Sequence, residues 1–190
     1  MEIITVIISI FGLIIVVAIA LIPYIRKVYF IGPELTIELL SNGGSSGNRG
    51  LSNKNDNTKG YIDGNNAIYV FEVKWNAILK ITNNSNVTAY YPELTFLNQQ
   101  LSFSTLDKLD NNKPIKENEQ IILKGTYSMF EECEGKYRTK ISGLPDNFKD
   151  LKILLEYKNP SKKRFYTIFS NTEQIIKNRY SRKKPKEFKK

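Results

Sequence analysis

The sequence contains no histidine and only one cysteine. Because histidine is the commonest metal ligand and the usual general base near neutral pH, this composition excludes Cys/His zinc sites, Ser-His-Asp triads and Cys-His pairs within the chain. The single cysteine, Cys133, stands among glutamates, which disfavour the thiolate that a reactive cysteine needs. We therefore predict a protein that is not an enzyme, with no catalytic residue, metal site or cofactor.

Net charge is small in most of the chain, although the formal net charge of the whole is +9. Residues 28–176 are nearly neutral, whereas residues 177–190 hold eight Lys or Arg and one Glu. The overall basicity therefore describes the C-terminal segment and not the domain before it. With one cysteine, the chain also lacks the disulfide framework of small extracellular domains.

The first segment lacks charge altogether. Ile3–Ile25 has no charged residue and would rise about 34 Å as a helix, enough to cross a hydrocarbon core of about 30 Å. A cleaved signal peptide is the alternative, but Met1-Glu2 is not basic and the small-residue element Ala18–Ala20 lies inside the apolar run. Residues 1–27 are therefore predicted to be a single-pass signal anchor.

Charges beside this anchor predict its orientation. Glu2 precedes the apolar run, and Arg26 and Lys27 follow it directly. Since basic flanks are retained on the cytoplasmic side, we expect the N-terminus outside and the remaining chain in the cytoplasm, at the inner membrane of the cell.

Alternating apolar and polar residues dominate the chain from 28 to 171. The clearest alternation, Tyr69–Thr82, is longer than a usual strand, so we expect a bend or bulge near Asn76. Residues 41–66, dense in Gly, Ser, Asn and Lys, are predicted to be a flexible insertion between strands. Further strands are predicted at Leu35–Leu39, Thr88–Phe96, Leu101–Leu106, Gln120–Tyr127, Lys136–Ile141, Leu151–Tyr157 and Arg164–Phe169, with a helical turn at Leu144–Lys149.

These short strands without a long amphipathic helix predict a mainly β fold, an antiparallel β-sandwich after a transmembrane α-helix. One core between two sheets is expected to contain Tyr69, Phe71, Val73, Trp75, Leu79, Ile81, Ile153, Leu155 and Phe165.

Residues 172–190 are predicted to form a short helix and a basic tail. Thr172 can cap the helix, and Pro185 ends it. The tail is the candidate contact with anionic lipid headgroups or with nucleic acid, and a merely solubilising tail is the alternative. Its basic residues are Lys177, Arg179, Arg182, Lys183, Lys184, Lys186, Lys189 and Lys190.

Three polar motifs have simpler interpretations. Asn53–Asn57 has the start of a calcium loop but lacks its glycine and glutamate, and Glu131, Glu132 and Glu134 are expected to be a solvated acidic turn. Glycosylation patterns begin at Asn83 and Asn86 and are without meaning in a cytoplasmic domain.

Three segments carry a resemblance to a known class of proteins. They are Leu79–Asn86, Pro92–Phe96 and a Pro-Ile element, Pro114-Ile115, that leads into Glu119–Ile121. Their order resembles membrane-anchored immunoglobulin-like sandwiches, including the late-embryogenesis-abundant type. The resemblance implies an immunoglobulin-like fold and no functional residue.

The sequence thus predicts a non-catalytic single-pass membrane protein. Its sandwich would serve as a protein-interaction or assembly module for an unknown protein partner at the membrane surface. A membrane-tethered nucleic-acid binder that uses the basic tail is the alternative.

Overall fold

The computed structural model describes residues 2–25, 31–55, 66–97, 103–134, 148, 150–172 and 175–188. These residues form an N-terminal helix, α1 (Glu2–Ile25), eight strands and a short 3-10 helix, Lys186–Phe188. The strands are β1 (Leu35–Leu51), β2 (Ile68–Asn83), β3 (Tyr90–Phe96), β4 (Thr105–Leu106), β5 (Gln120–Glu134), β6 (Lys152–Lys158), β7 (Arg164–Thr172) and β8 (Ile175–Ser181).

Helix α1 follows the apolar run at the start of the sequence and continues two residues beyond Pro23. Its side chains are described over residues 10–23, and all of them are exposed. Within the described part of the chain, no helix is long and apolar enough to cross a membrane. The predicted helix is therefore confirmed as a helix, and its spanning of a membrane is not confirmed.

The strands form two four-stranded sheets in which every pair of neighbours is antiparallel. The first sheet has the order β1-β2-β5-β4, and the second has the order β3-β6-β7-β8. Apolar side chains from both sheets meet in one buried cluster, which includes Ile37, Leu79, Ile153 and Phe169. The predicted mainly β, sandwich-like architecture is confirmed.

The predicted core residues share the expected face, but they do not form one core. Eight of the nine are buried, and Tyr69 is half-buried. Phe71, Val73 and Trp75 form a cluster separate from the one that contains Leu79. Tyr127 packs against both clusters, so the prediction of register is confirmed and that of a single core is wrong.

The predicted flexible insertion at 41–66 is wrong over its first part. Residues 41–51 belong to β1 and pair with β2 as far as Leu51↔Tyr69. A register shift lies between Ser41 and Gly44, opposite Asn76, with Gly43 at a φ of 76°. A bulge thus occurs at the predicted level, but in β1 and not in β2, because a glycine adopts positive φ without steric cost.

The predicted C-terminal helix is also wrong. Ile175–Ser181 is an edge strand, β8, which pairs with β7 from Thr172↔Ile175 to Tyr166↔Ser181. The tail beyond it does not all extend into solvent, since Phe188 is buried against Leu154, Tyr166 and Ile168. Tertiary pairing and the burial of one aromatic ring override the local helix signal and the high charge.

Other predicted boundaries differ in length. β5 continues to Glu134, and β4 starts only at Thr105. The strand predicted at 136–141 and, apart from Phe148, the turn at 144–149 lie outside the described residues.

Candidate interaction surfaces

The basic residues named from sequence lie in different elements. Lys177 and Arg179 belong to β8, residues 182–184 follow that strand, and Lys186 opens the 3-10 helix. Arg26, Lys27, Lys189 and Lys190 lie outside the described residues, as does the side chain of Lys177. The structure therefore tests only the central part of the predicted contact.

An acidic residue lies within the basic segment and partly neutralises it. The Glu187 carboxylate lies 3.3 Å from the Lys152 ammonium and 4.0 Å from the Arg179 guanidinium. Phe188 beside it packs on the outer face of the second sheet. The segment is thus fixed at two points, whereas Arg182, Lys183 and Lys186 keep their charged side chains exposed.

A half-open cleft of about 220 Å³ lies where the chain enters the sandwich after α1. Its lining brings the residues before β1 together with those at the end of β8: Gly32, Pro33, Glu34, Tyr157, Phe165, Tyr166, Tyr180, Ser181 and Arg182. The Arg182 guanidinium lies 5.9 Å from the centre of the Phe165 ring. No sequence motif indicated this cleft, because its parts are about 150 residues apart along the chain.

Gly32 is required by the close packing at this cleft. A Cβ added to Gly32 would overlap the ring of Phe165. Only glycine therefore lets the entering chain lie against this ring. The Phe165 ring in turn stacks on Tyr157 at a centroid distance of 6.3 Å.

A buried polar chain supports the floor of the cleft. Thr167 Oγ1 donates to the Leu35 carbonyl oxygen at 2.7 Å and lies 3.0 Å from the Tyr157 hydroxyl. Burial raises the pKa of Tyr157 to about 12. The phenol therefore stays protonated at physiological pH, and we assign it a structural role in joining β6, β7 and β1.

A second link joins the outer strands of the two sheets. Asn178 Oδ1 accepts from the Ile37 N–H at 2.9 Å, and its Nδ2 donates to the Ile37 carbonyl oxygen at 3.0 Å. One side chain thereby satisfies both backbone groups of Ile37, as a neighbouring strand would. The link gives a physical reason for β8 to lie at this edge of the sandwich.

Asn55, from the motif at 53–57, joins the end of β1 to the start of β2. The Asn55 side chain donates to the Ser52 and Ile68 carbonyl oxygens, at 2.7 Å each, and accepts from the Ile68 N–H at 2.8 Å. Nearby, Glu132 accepts from the Ser52 hydroxyl and forms an ion pair with Lys54. The hydrogen bonds from Lys54 and Ser52 lower the pKa of Glu132.

The acidic turn is in fact part of β5, and its residues do not form a metal site with others that the structure describes. Among those residues, no group of three or more Asp, Glu or Cys side chains is placed to hold a metal ion. Asn83, the first glycosylation candidate, is fully buried, and its side chain bonds to the Val87 and Ile115 carbonyl oxygens. A buried asparagine of this kind is a structural element of the turn.

Comparisons of the chain with protein-family models, with curated proteins and with solved structures found no match.

Proposed function

We propose that this chain is a membrane-attached protein that presents a non-catalytic β-sandwich to a protein partner. The observation that carries this proposal is the exposure of α1. Ile10, Phe11, Leu13 and Val16 are each more than half exposed, although the sandwich has a buried core of its own. A helix that is apolar on all sides and uncovered by its own domain is typical of a segment that a membrane covers.

Membrane spanning requires more of the helix than residues 10–23. These fourteen residues rise about 21 Å, which is less than the hydrocarbon thickness of about 30 Å. The complete helix, Glu2–Ile25, has twenty-four residues and would rise about 36 Å. The spanning part of the proposal therefore rests on the length and sequence of α1 as a whole.

The sandwich is proposed to be immunoglobulin-like. Constant-type immunoglobulin sheets have the orders ABED and CFG. In chain order, β1-β2-β5-β4 corresponds to ABED, and β3-β6-β7 corresponds to CFG, with β8 as an additional edge strand. This correspondence supports the resemblance that the sequence suggested, and such sandwiches host many unrelated functions.

Flotation of the full chain with liposomes tests membrane attachment. We expect it to float with neutral phosphatidylcholine liposomes and to remain bound in about 1 M salt, where the Debye length is about 3 Å. The double variant Leu13→Lys, Val17→Lys should lose flotation, while Asn111→Lys, Asn112→Lys in an exposed loop should keep it. Wild-type protein that stays in the unfloated fraction would refute the proposal.

Orientation is tested with Asn112→Cys in a Cys133→Ser background, which places the one thiol of the chain in that exposed loop. A membrane-impermeant maleimide should label this site in lysed cells and not in intact cells, if the sandwich is cytoplasmic. Labelling of intact cells would reverse the proposed orientation without affecting the proposed attachment.

Nucleic-acid binding by the basic segment is the competing function. The exposure of Arg182, Lys183 and Lys186 supports it, whereas the contacts of Glu187 reduce the local charge. If it is correct, the affinity for duplex DNA should fall steeply with salt, and Lys183→Gln with Lys186→Gln should reduce the slope of log K against log salt by about 2.

A further inference from the structure

The outer edges of the two sheets differ in how they are protected. β4 has two residues, and β3 contains Pro92 and a register shift after Tyr90. The edge strand β8 carries the exposed Arg179. Short length, proline, bulges and charge are the usual means by which natural proteins prevent another strand from adding to an edge.

Within the described part of the chain, contacts protect the remaining edge, β1, in its first half only. There Asn178 occupies both backbone groups of Ile37, and Thr167 occupies the Leu35 carbonyl oxygen. In its second half, residues 44–48 read Gly-Ser-Ser-Gly-Asn, without charge and without proline. All five are exposed except Ser46, which is half-buried, and no strand among the described residues pairs with this side of β1.

The direction of the backbone groups in this half follows from the ladder. Because Ile37 points its N–H and carbonyl groups toward Asn178, Ile37↔Ile81 is a non-hydrogen-bonded pair of the β1–β2 ladder. The register between β2 and β5 continues without a shift from Ile68 to Thr82, so odd-numbered residues of β2 keep the same direction.

The partners of those odd-numbered residues in the second half are Gly44, Ser46 and Asn48. Their N–H and carbonyl groups therefore point away from β2, toward the open edge. Three successive pairs of donors and acceptors at this spacing match an extended strand of about five residues. We define residues 44–48 as the open edge.

Charge beside the open edge indicates what the partner carries. Glu72 pairs with Gly47 in the ladder, and its single carboxylate is contacted by both Arg49 and Lys74. This trio keeps one positive charge in excess on the outer face of the sheet. A carboxylate on the same face of an added strand would be complementary to it.

We propose that the open edge binds an extended segment of a different protein, uncharged except for a carboxylate on its outer face, as an added β-strand. This proposal names the docking site of the interaction module under Proposed function and rests on that proposed function.

A second copy lacks the complementary charge. Two identical edges pair through a two-fold axis only when their strands are antiparallel, so the open edge of one copy would lie against the open edge of the other. Residues 44–48 contain no carboxylate, so a second copy offers nothing to balance the excess positive charge beside the edge.

The test uses the full chain in detergent micelles and a defined peptide probe. The probe is a capped seven-residue peptide in which threonine and valine alternate around a central glutamate. We expect it to slow amide hydrogen exchange at Gly44, Ser46 and Asn48. The same peptide N-methylated at alternate residues, which cannot donate to the edge, should leave exchange unchanged.

Two variants of one residue separate strand addition from other binding. Ser46→Pro removes an N–H that points to the open edge and should weaken peptide binding at least about tenfold, whereas Ser46→Ala keeps the N–H and should bind as the wild type. Replacing the glutamate of the peptide by lysine should weaken binding about threefold. Fluorescence of the buried Trp75 reports whether each variant is folded.

The outcomes are distinct. Equal binding of the N-methylated peptide, unchanged exchange at the three amides, or wild-type affinity of a folded Ser46→Pro would overturn the proposal. Peptide-independent dimers that Ser46→Pro dissociates would also overturn it, by showing that a second copy is the occupant. Liposome flotation of the same protein, without detergent, tests membrane attachment separately. A negative result in one experiment therefore does not affect the interpretation of the other.

Discussion

Replacing Asn178 tests whether the link between the outer strands stabilises the sandwich. The Asn178→Ala variant leaves the N–H and the carbonyl group of Ile37 without their partner, at a residue that is fully buried. An unsatisfied buried backbone group costs about 1–3 kcal/mol. Because Asn178 itself is half-buried and water can reach part of the site, we expect a loss of about 2–4 kcal/mol in the free energy of unfolding.

Urea unfolding of the full chain in mild detergent measures this loss. Trp75 is the one tryptophan of the sequence, and it is buried, so its fluorescence follows the unfolding of the sandwich. Asn112→Ala, in an exposed loop, is the matched control and should change the free energy by less than about 0.5 kcal/mol. The reasoning is refuted if Asn178→Ala stays within that limit.

The Asn178→Asp variant adds a pH dependence with a defined sign. The aspartate keeps the acceptor for the Ile37 N–H but places a carboxylate against the Ile37 carbonyl oxygen, which raises the pKa of the new group in the folded state. A carboxyl group whose pKa is higher in the folded than in the unfolded state contributes stability at pH values below its unfolded pKa of about 3.9. This contribution is lost as the pH rises through the folded pKa. The deficit relative to the wild type should therefore shrink in acid, and a deficit independent of pH would contradict this geometry.

Three further variants test other parts of the fold. Burial raises the pKa of Tyr157 to about 12, so an ultraviolet titration should show a phenol that ionises near that pH. Because this folded value lies above the unfolded value of about 10, about 3 kcal/mol of stability should be lost as the pH rises from about 10 to about 12, and Tyr157→Phe should abolish this step. Phe188→Ala should cost about 2–3 kcal/mol in urea unfolding and Phe130→Ala, two-thirds exposed, almost nothing. Gly32→Ala should lose about 1–3 kcal/mol to overlap, whereas Gly12→Ala, with open space around it, should not destabilise the sandwich.

The strands with an uninterrupted period of two were predictable from the sequence. In β2, alternate residues from Phe71 to Ile81 are all buried, as the pattern required. Such a pattern states which face is buried but not what covers it. The division of that face into two clusters, bridged by Tyr127, depends on partners far away in the sequence, so periodicity alone could not reveal it.

The glycines of β1 show that composition does not separate a loop from a bulged strand. The segment after Ser41 is rich in Gly, Ser and Asn, which favours a loop in a window without partners. Pairing with β2 supplies those partners, and Gly43 at positive φ allows the bulge that keeps the strand in register. The glycines were thus a signal for a bulge and an uncharged edge.

The cleft carries no signature in the sequence. It is formed by residues that meet only after the two sheets have packed, as Ile37 and Asn178 do across 141 positions. A short apolar run such as Ile175-Ile176 fits a helix or a strand equally well, and the distant contact of Asn178 favours the strand. The contact between Asn178 and Ile37 therefore favours β8 as a strand and protects the first half of the β1 edge. It also brings Arg182, which follows β8, to the cleft.

The position of Arg182 in the cleft also affects how the basic segment can meet a membrane. Arg182 lines the same cleft as Gly32, which lies seven residues after the end of α1 and so no more than about 25 Å from it. If α1 lies in a membrane, Arg182, Lys183 and Lys184 are held near the headgroups by the fold. In nanodiscs with spin-labelled headgroups, their amide signals should broaden more with anionic than with neutral lipid, and salt should reverse the difference because screening acts within about 8 Å at physiological strength. Broadening no greater than that of the loop 110–113 would show that the fold holds these charges away from the bilayer.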